Sequence, residues 1–246
     1  MPREFDADEP EMMDRPQPVS VELERDLLNL ISLNRRFGSH RQLLHFLRRW
    51  WRRGETYRVL DLCTGAGDLP RVMVNFARTR DITLRVIAVD ANPATLAIAR
   101  QLSDGYPEIE FVEGDALTFG TSGEYDLVHN SLALHHFTDR DAIRLLTRCH
   151  MLRSRWVLVS DLERSPMTTI GVWLLTALIY RDPMTRHDGR VSAKRAFSFG
   201  ELHKLAESAG WADFEHARFF ACRQAVWLES SVEIQGVSLP AAPCLG

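Results

Sequence analysis

Cysteine is scarce. The 246 residues hold four, Cys63, Cys149, Cys222 and Cys244, scattered with no spacing that suits a disulfide framework or a zinc site. They read as free thiols of a reducing compartment, which predicts a cytoplasmic chain and gives no metal-ligand set. Long hydrophobic runs are missing too: the longest nearly apolar stretch, Ile170 to Tyr180, is about half of the roughly 20 residues that a helical membrane span needs. The first residues carry no secretory pattern. There is no excess of one charge, with 30 Lys and Arg against 33 Asp and Glu and a formal net charge of −3. That balance argues against a broad basic face for nucleic acid. No repeat or low-complexity block is visible, and a hydrophobic content of 45% suits one large globular core.

What is present begins with Arg58 to Pro70, RVLDLCTGAGDLP. An apolar strand ends in Asp61, passes through the small-residue loop Cys63-Thr64-Gly65-Ala66-Gly67, and re-enters a helical pattern from Asp68. Glycines let backbone approach a ligand closely, and a helix start leaves unpaired N–H groups facing it. Such a loop can also be a turn that holds no ligand, so the following strands matter. Leu84 to Asn92 ends in Asp90, roughly twenty residues beyond the glycines, where an acid can accept both hydroxyls of a ribose. Ile109 to Leu117 contains Asp115, and Tyr125 to Phe137 reaches Asn130-Ser131. A fifth strand, Arg155 to Ser160, ends at Asp161. In an open parallel sheet these strand ends line one crevice.

With these motifs in order, the chain resembles the class I S-adenosylmethionine-dependent methyltransferases over Arg58 to about Glu229. The resemblance implies an α/β fold: a doubly wound, mostly parallel seven-stranded Rossmann-like sheet, with the antiparallel strand inside Asp213 to Leu228. It implies S-adenosylmethionine as cofactor, with Asp61 near its methionine amino group and Cys63, Gly65 and Gly67 along the loop. Asp90 and Ala91 would hold the ribose, Asp115 and Ala116 the adenine, and Asn130 would sit beside the methionine part. Cys63 stands where the family has its first glycine; its Cβ predicts a negative φ, and a small buried filler is a better reading than a nucleophile. A narrower likeness is to bacterial polyketide or phenolic-lipid methyltransferases and, through Gly65-Ala66-Gly67-Asp68-Leu69, to quinone-biosynthesis methyltransferases. Both imply a small apolar aromatic or polyketide-like acceptor, with oxygen favoured over carbon.

The organisation reads as a mobile acidic, Pro-rich tail (residues 1–19), a helical lid (20–57), the methyltransferase domain (58–229) and a C-terminal tail (230–246). Within the lid, Val21 to Arg36 is amphipathic, and Ser39 to Gln42 reads as a capping box opening a helix to about Arg53. Ser198 to Glu201 is another capping box, and its helix stops at Gly210. Arg48-Arg49-Trp50-Trp51-Arg52-Arg53 suits either peripheral membrane or lipid contact or a solvated face with its tryptophans turned inward. Residues 163–197, roughly 35 in number, exceed ordinary connections in such folds and predict a helical substrate cap followed by a polar turn, Arg186-His187-Asp188-Gly189. Methyl transfer to an oxygen benefits from a base, for which the candidates are His187 first, then His135, His136 and Asp161. The adjacent pair Leu134-His135-His136-Phe137 equally suits a loop-holding role.

Two other classes share part of this pattern. A nicotinamide-dependent oxidoreductase uses the same strand-loop-acid logic, but Pro70 stands near where its fingerprint needs a small residue, and Asp61 has no role there. A non-catalytic member that keeps the fold as a binding partner is the other, since fold does not fix function. Amino-directed nucleic-acid methylation is disfavoured, because Asn130-Ser131-Leu132-Ala133 lacks the Pro-Pro-aromatic pattern.

Overall fold

The computed structural model describes residues 2–6, 8–121 and 124–229. In chain order its elements are α1 (Val21–Arg36), α2 (Ser39–Trp50), β1 (Thr56–Leu62), α3 (Asp68–Arg78), β2 (Thr83–Asp90), α4 (Pro93–Leu102), β3 (Ile109–Glu113), β4 (Tyr125–Ser131), α5 (Asp139–Leu152), β5 (Arg153–Leu162), α6 (Pro166–Leu178), α7 (Pro183–Arg195), α8 (Phe199–Ser208), β6 (Glu215–Phe219) and β7 (Arg223–Glu229). The strands form one sheet in the order β3-β2-β1-β4-β5-β7-β6. β7 runs antiparallel to both of its neighbours, and β1 to β5 pair in parallel. The order reverses between β1 and β4, which opens a crevice at the carboxyl ends of those two strands.

Alternation along the strands fills both faces. Leu60 and Leu62 pack with Val128, Val157 and Val159 under Leu145 and Leu146 of α5 and Leu202 of α8. Val59, Val86, Leu127 and Leu158 point the other way, against Phe46 and Leu47 of α2 and Met73 and Val74 of α3. Each fully buried Leu or Val contributes on the order of 2 kcal/mol of transfer free energy, so the two layers hold the strand ends in fixed register. The tryptophans of the basic run belong to this interior. Trp50 stacks on Trp156 and Trp51 on Tyr57, which leaves the arginines around them on a solvated face. Among the described residues no helix is long and apolar enough to cross a membrane.

Several local expectations change. Ser39 is not a cap: the chain turns at Gly38 (φ 102°), and the Ser39 hydroxyl donates to Asn34 Oδ1 at 3.1 Å. A Cβ on Gly38 would lie 3.3 Å from the Phe220 carbonyl oxygen, so this turn requires glycine on two counts. The α2 helix also stops at Trp50 rather than Arg53. The Ser198–Glu201 capping box, by contrast, is formed in both directions. β3 ends at Glu113, before Asp115, and β4 ends at Ser131, followed by a 3₁₀ turn at Leu134–His136. β5 is longer than expected and takes Asp161 into the strand.

The segment after β5 does fold as helices, but Arg186 to Gly189 lies within α7 and is not a turn. Asp182 caps that helix, accepting from the Met184 and Thr185 N–H groups, and Pro183 occupies its first position. The N-terminal segment is no free tail. Met12 and Met13 donate their N–H groups to the two oxygens of buried Asp188 (2.7 and 2.9 Å), and Arg195 donates to the carbonyls of Asp6 and Glu9. These bonds explain the ordering: α7 buries Asp188 and Arg195, and the N-terminal backbone gives both of them partners, beside the His187 Nδ1 that also meets Asp188 at 2.8 Å. The C-terminal segment 230–246, with Cys244, lies outside the described residues.

Candidate active site

A cavity of about 880 Å³ opens at the crevice and extends under α6. Its floor is the β1–α3 loop and the ends of β2 and β4; its roof is α1, the residues before it, α6 and α7. Three of five loop residues have positive φ: Cys63 at 57°, Gly65 at 54° and Gly67 at 70°. For Cys63 this reverses the expectation. The loop is held by bonds from Thr64 N to the Val89 carbonyl (2.9 Å) and Gly67 N to the Thr64 carbonyl (3.0 Å), and that path imposes the left-handed turn despite the Cβ. Burial pushes the Cys63 thiol well above its ordinary pKa, and the nearby Asp90 and Asp61 push it further, so it stays a protonated filler.

Asp90 accepts from Gly65 N at 2.8 Å and from Asn92 N at 3.0 Å, which ties the end of β2 to the loop. Burial raises its pKa against the pull of these two N–H groups. Asp61 is buried, accepts from the Thr64 hydroxyl (2.6 Å), and is bonded to His129 Nδ1 at 2.5 Å. His129 sits opposite Asp61 in the β1–β4 register. Sequence reasoning missed it because that neighbourhood follows from strand order and not from proximity along the chain.

The other expected cofactor residues are less uniformly placed. Asp61, Cys63, Gly65, Asp90 and Ala91 line the cavity; Gly67, Asp115, Ala116 and Asn130 are not among its lining residues. Gly67 begins α3 from behind the loop, where a Cβ would come within 2.8 Å of the Phe111 ring. Asp115 is exposed beyond β3 and accepts from Leu117 N, while Ala116 is buried in the core. Asn130 is fully buried and donates to the Leu62 carbonyl (2.9 Å), bracing β4 against β1.

Of the candidate bases, His187 is removed from the cavity. Because α7 is continuous, its imidazole turns outward to a separate recess beside Glu4, Phe5 and Arg15, while Asp188 turns inward. His135 and His136 do line the cavity. His135 Nδ1 bonds Asp161 at 2.7 Å, its own backbone N–H reaches the other Asp161 oxygen (2.9 Å), and His136 Nδ1 bonds Asp14 at 2.6 Å. Buried Glu11 stands over both rings and accepts from the Ser192 hydroxyl at 2.8 Å.

This group is electrostatically strained. Burial raises the Glu11 pKa against the attraction of His136 and His135. Burial works against the His136 charge as well, yet Glu11, Asp14 and Asp161 hold its imidazolium up to about 10. Glu11 and Asp14 escaped sequence reasoning because acidic, Pro-rich composition reads as solvated chain; the apolar pair Met12-Met13 is the only local hint of burial.

The opposite wall is apolar. Leu27, Leu30 and Ile31 of α1 face Met167, Val172 and Leu175 of α6 across the cavity, while Ile170, Trp173 and Leu174 lie on the outer side of α6. α6 and α1 thus form the apolar wall of this cavity, and Trp173 is not part of its lining.

Residues 59–153 match the methyltransferase domain family. Over 81 residues the chain is 43% identical to the 2-phytyl-1,4-naphtoquinone methyltransferase of Thermosynechococcus vestitus, a match covering 33% of this chain and 35% of that one. Over 95 residues it is 35% identical to an uncharacterized methyltransferase of Synechocystis, covering 38% and 40% respectively. The chain thus spans well under half the length of these curated relatives. A SAM-dependent methyltransferase from Aquifex aeolicus has a similar fold, with TM-score 0.57 and 15% identity over 83% of this chain and 96% of that one. A structure of PigF with SAH is similar at TM-score 0.58 and 18% identity, over 84% and 60%.

Proposed function

We propose that the protein, whose residues 59–153 form a class I S-adenosylmethionine-dependent methyltransferase domain, transfers the methyl group of that cofactor to an oxygen of a small apolar aromatic or polyketide-like acceptor. The observation that carries this reading is the shape of one cavity: it joins the Asp90–Gly65 loop at one end to an apolar chamber and a polar His-Glu wall at the other. The relative named for a phytyl-naphthoquinone substrate supports an apolar aromatic acceptor.

In this reading Asp90, already fixed by two backbone N–H groups, keeps free lone pairs for the ribose hydroxyls. Asp61, oriented by Thr64 and His129, lies where the cofactor's amino group would be met. Gly65 has nothing within 4 Å of a built Cβ, so the loop leaves backbone open to the ligand. The sulfonium activates the methyl group; the chain's part is to align the acceptor with the S–CH₃ bond and exclude water. The new O–CH₃ bond forms as the C–S bond breaks, and the sulfur keeps the electron pair. The acceptor oxygen faces the wall of His135, His136 and Glu11, which takes the place of His187 as the group near its proton.

Calorimetry with S-adenosylhomocysteine tests the cofactor half. Asp90→Ala removes charged hydrogen bonds worth roughly 1.5–3 kcal/mol each, partly replaced by water, so affinity should fall at least tenfold with the fold intact. An unchanged dissociation constant, or tight NAD binding with no response to the sulfur cofactor, overturns the reading. Radiolabelled S-adenosylmethionine with phenols, quinols and fatty acids, followed by product identification, tests the acceptor half.

A further inference from the structure

We propose that Glu11, His135 and His136 bind a divalent first-row transition ion of the zinc or cobalt type, with its open coordination positions facing the acceptor chamber. The inference rests on the methyl-transfer reading only for what the ion would touch, not for the site itself.

The ligand atoms are assembled from distant parts of the chain. Glu11 Oε1 stands 3.7 Å from His135 Nε2 and 3.9 Å from His136 Nε2, and the donor atoms of the three residues all fall within 4.8 Å of one another. A tetrahedral ion with bonds of about 2.05 Å separates its ligands by roughly 3.3 Å, so the two carboxylate–imidazole separations exceed that by about half an ångström and the three groups must draw together to close on an ion. Consecutive side chains usually diverge. Here the 3₁₀ turn at Leu134–His136 brings the two rings to a centroid distance of 4.4 Å with both Nε2 atoms toward one carboxylate.

Each imidazole is also prepared from behind. A carboxylate can only accept, so the Nδ1 that meets Asp161 carries the hydrogen in His135, as does the Nδ1 that meets Asp14 in His136. That hydrogen on Nδ1 makes Nε2 the ligand nitrogen, in His136 once the ion displaces the second proton that the neighbouring carboxylates hold there, and gives the carboxylate–histidine–metal arrangement of metal sites. The Ser192 hydroxyl donates to Glu11 Oε1, the oxygen that faces the two rings, and so fixes where that carboxylate points.

A second observation asks for an occupant. His135 is 2% exposed, and its Nε2 has no hydrogen-bond partner. Buried polar atoms are nearly always satisfied, and an orphan aimed at a buried carboxylate and a second imidazole marks a missing partner. Three carboxylates, Glu11, Asp14 and Asp161, surround the two rings, which favours a dication electrostatically. Two imidazoles and one carboxylate suit zinc, cobalt, iron or manganese better than magnesium. All three ligands line the cavity, so the remaining positions are open to an acceptor's oxygen. Coordination there would release the hydroxyl proton to solvent and present the anion to the methyl group, while the metal keeps its oxidation state.

The experiment uses the full chain after chelator treatment. Titration with Co²⁺ should give one equivalent bound with micromolar affinity or tighter, visible ligand-field bands of an imidazole-bound ion, and displacement by Zn²⁺ but not by equal Mg²⁺. Glu11→Gln and His136→Gln should each weaken binding at least a hundredfold. Asp14→Asn, which removes only the partner behind His136, should weaken it ten- to hundredfold, and it keeps the test open should either ligand variant misfold. Lys204→Gln, on the exposed face of α8, should change nothing. A stripped chain that binds neither ion below millimolar concentration overturns the proposal, as does Co²⁺ binding untouched in both folded ligand variants. S-adenosylhomocysteine affinity, measured in the same samples, reads the methyl-transfer proposal separately: its loss with metal binding intact refutes that reading and supports the metal site.

Discussion

His216 shows how a single half-buried side chain sets a pH limit. It lies on β6, stacked face to face on Phe199 at 3.6 Å and bonded to Gln224 on β7. Burial drives its pKa from 6.5 down to about 4; the Gln224 bond opposes this, His203 and Arg218 reinforce it, and Glu163 acts weakly the other way. Above pH 6.5 both folded and unfolded chains carry it neutral. As the pH falls toward 4 the unfolded chain takes up a proton that the folded chain refuses, so stability is lost over that window. His216→Phe should therefore flatten the stability curve between pH 4 and 6.5 by on the order of 1–2 kcal/mol, an amount reduced for partial exposure of the ring. Urea midpoints at several pH values in that range check it; a variant as acid-sensitive as wild type would assign the loss to other groups.

At the scale of the element, the β1–α3 junction sets both helix packing and ligand approach, and its two glycines divide the work. A Cβ at Gly67 would meet the Phe111 ring at 2.8 Å in a backbone of φ 70°, while at Gly65 (φ 54°) nothing lies within 4 Å. Gly65→Ala should cost only the left-handed backbone penalty of about 1–2 kcal/mol, and it should weaken cofactor binding because the added methyl faces open space over the loop. Gly67→Ala adds displacement of the ring and should cost about 2–4 kcal/mol, with a larger fall in Tm. Equal Tm losses for the two variants would show that Phe111 yields freely. The elements themselves follow local rules: Asn92-Pro93, Ser165-Pro166 and Asp182-Pro183 each cap a helix as their residue types require. The polar turn expected at Arg186–Gly189 failed because Gly189 in mid-helix looks like a breaker; contacts between α6 and α7 outweigh its poor propensity.

For the molecule as a whole, the N-terminal segment is the keystone of the roof. It supplies Glu11, Met13 and Asp14 to the cavity and satisfies Asp188 and Arg195 from outside the sheet. Deleting residues 1–17 should leave the sheet folded, since its two cores lie elsewhere, but should expose a buried carboxylate and a guanidinium and open the apolar chamber. Thermal unfolding should shift down by several degrees, with S-adenosylhomocysteine affinity falling less than acceptor turnover. A truncated chain with wild-type Tm and turnover would show that the segment is dispensable.

What the sequence determined by itself was local and periodic. Strand-and-helix alternation gave the doubly wound sheet, Asp61 and Asp90 at the ends of the first two strands marked the crevice, and Ser198-Phe199-Gly200-Glu201 announced its own capping box, because each of these patterns acts over a few residues. The tertiary structure decided the rest. The His129–Asp61 bond depends on β4 lying beside β1, and the Cys63 turn depends on a bond from Thr64 to β2. The grouping of Glu11 with His135 and His136 joins a segment of unpromising composition to a turn more than a hundred residues away. Contacts of that separation leave no period in the sequence. They exist only because the folded layers remove those side chains from water and oblige each buried charge to find a partner.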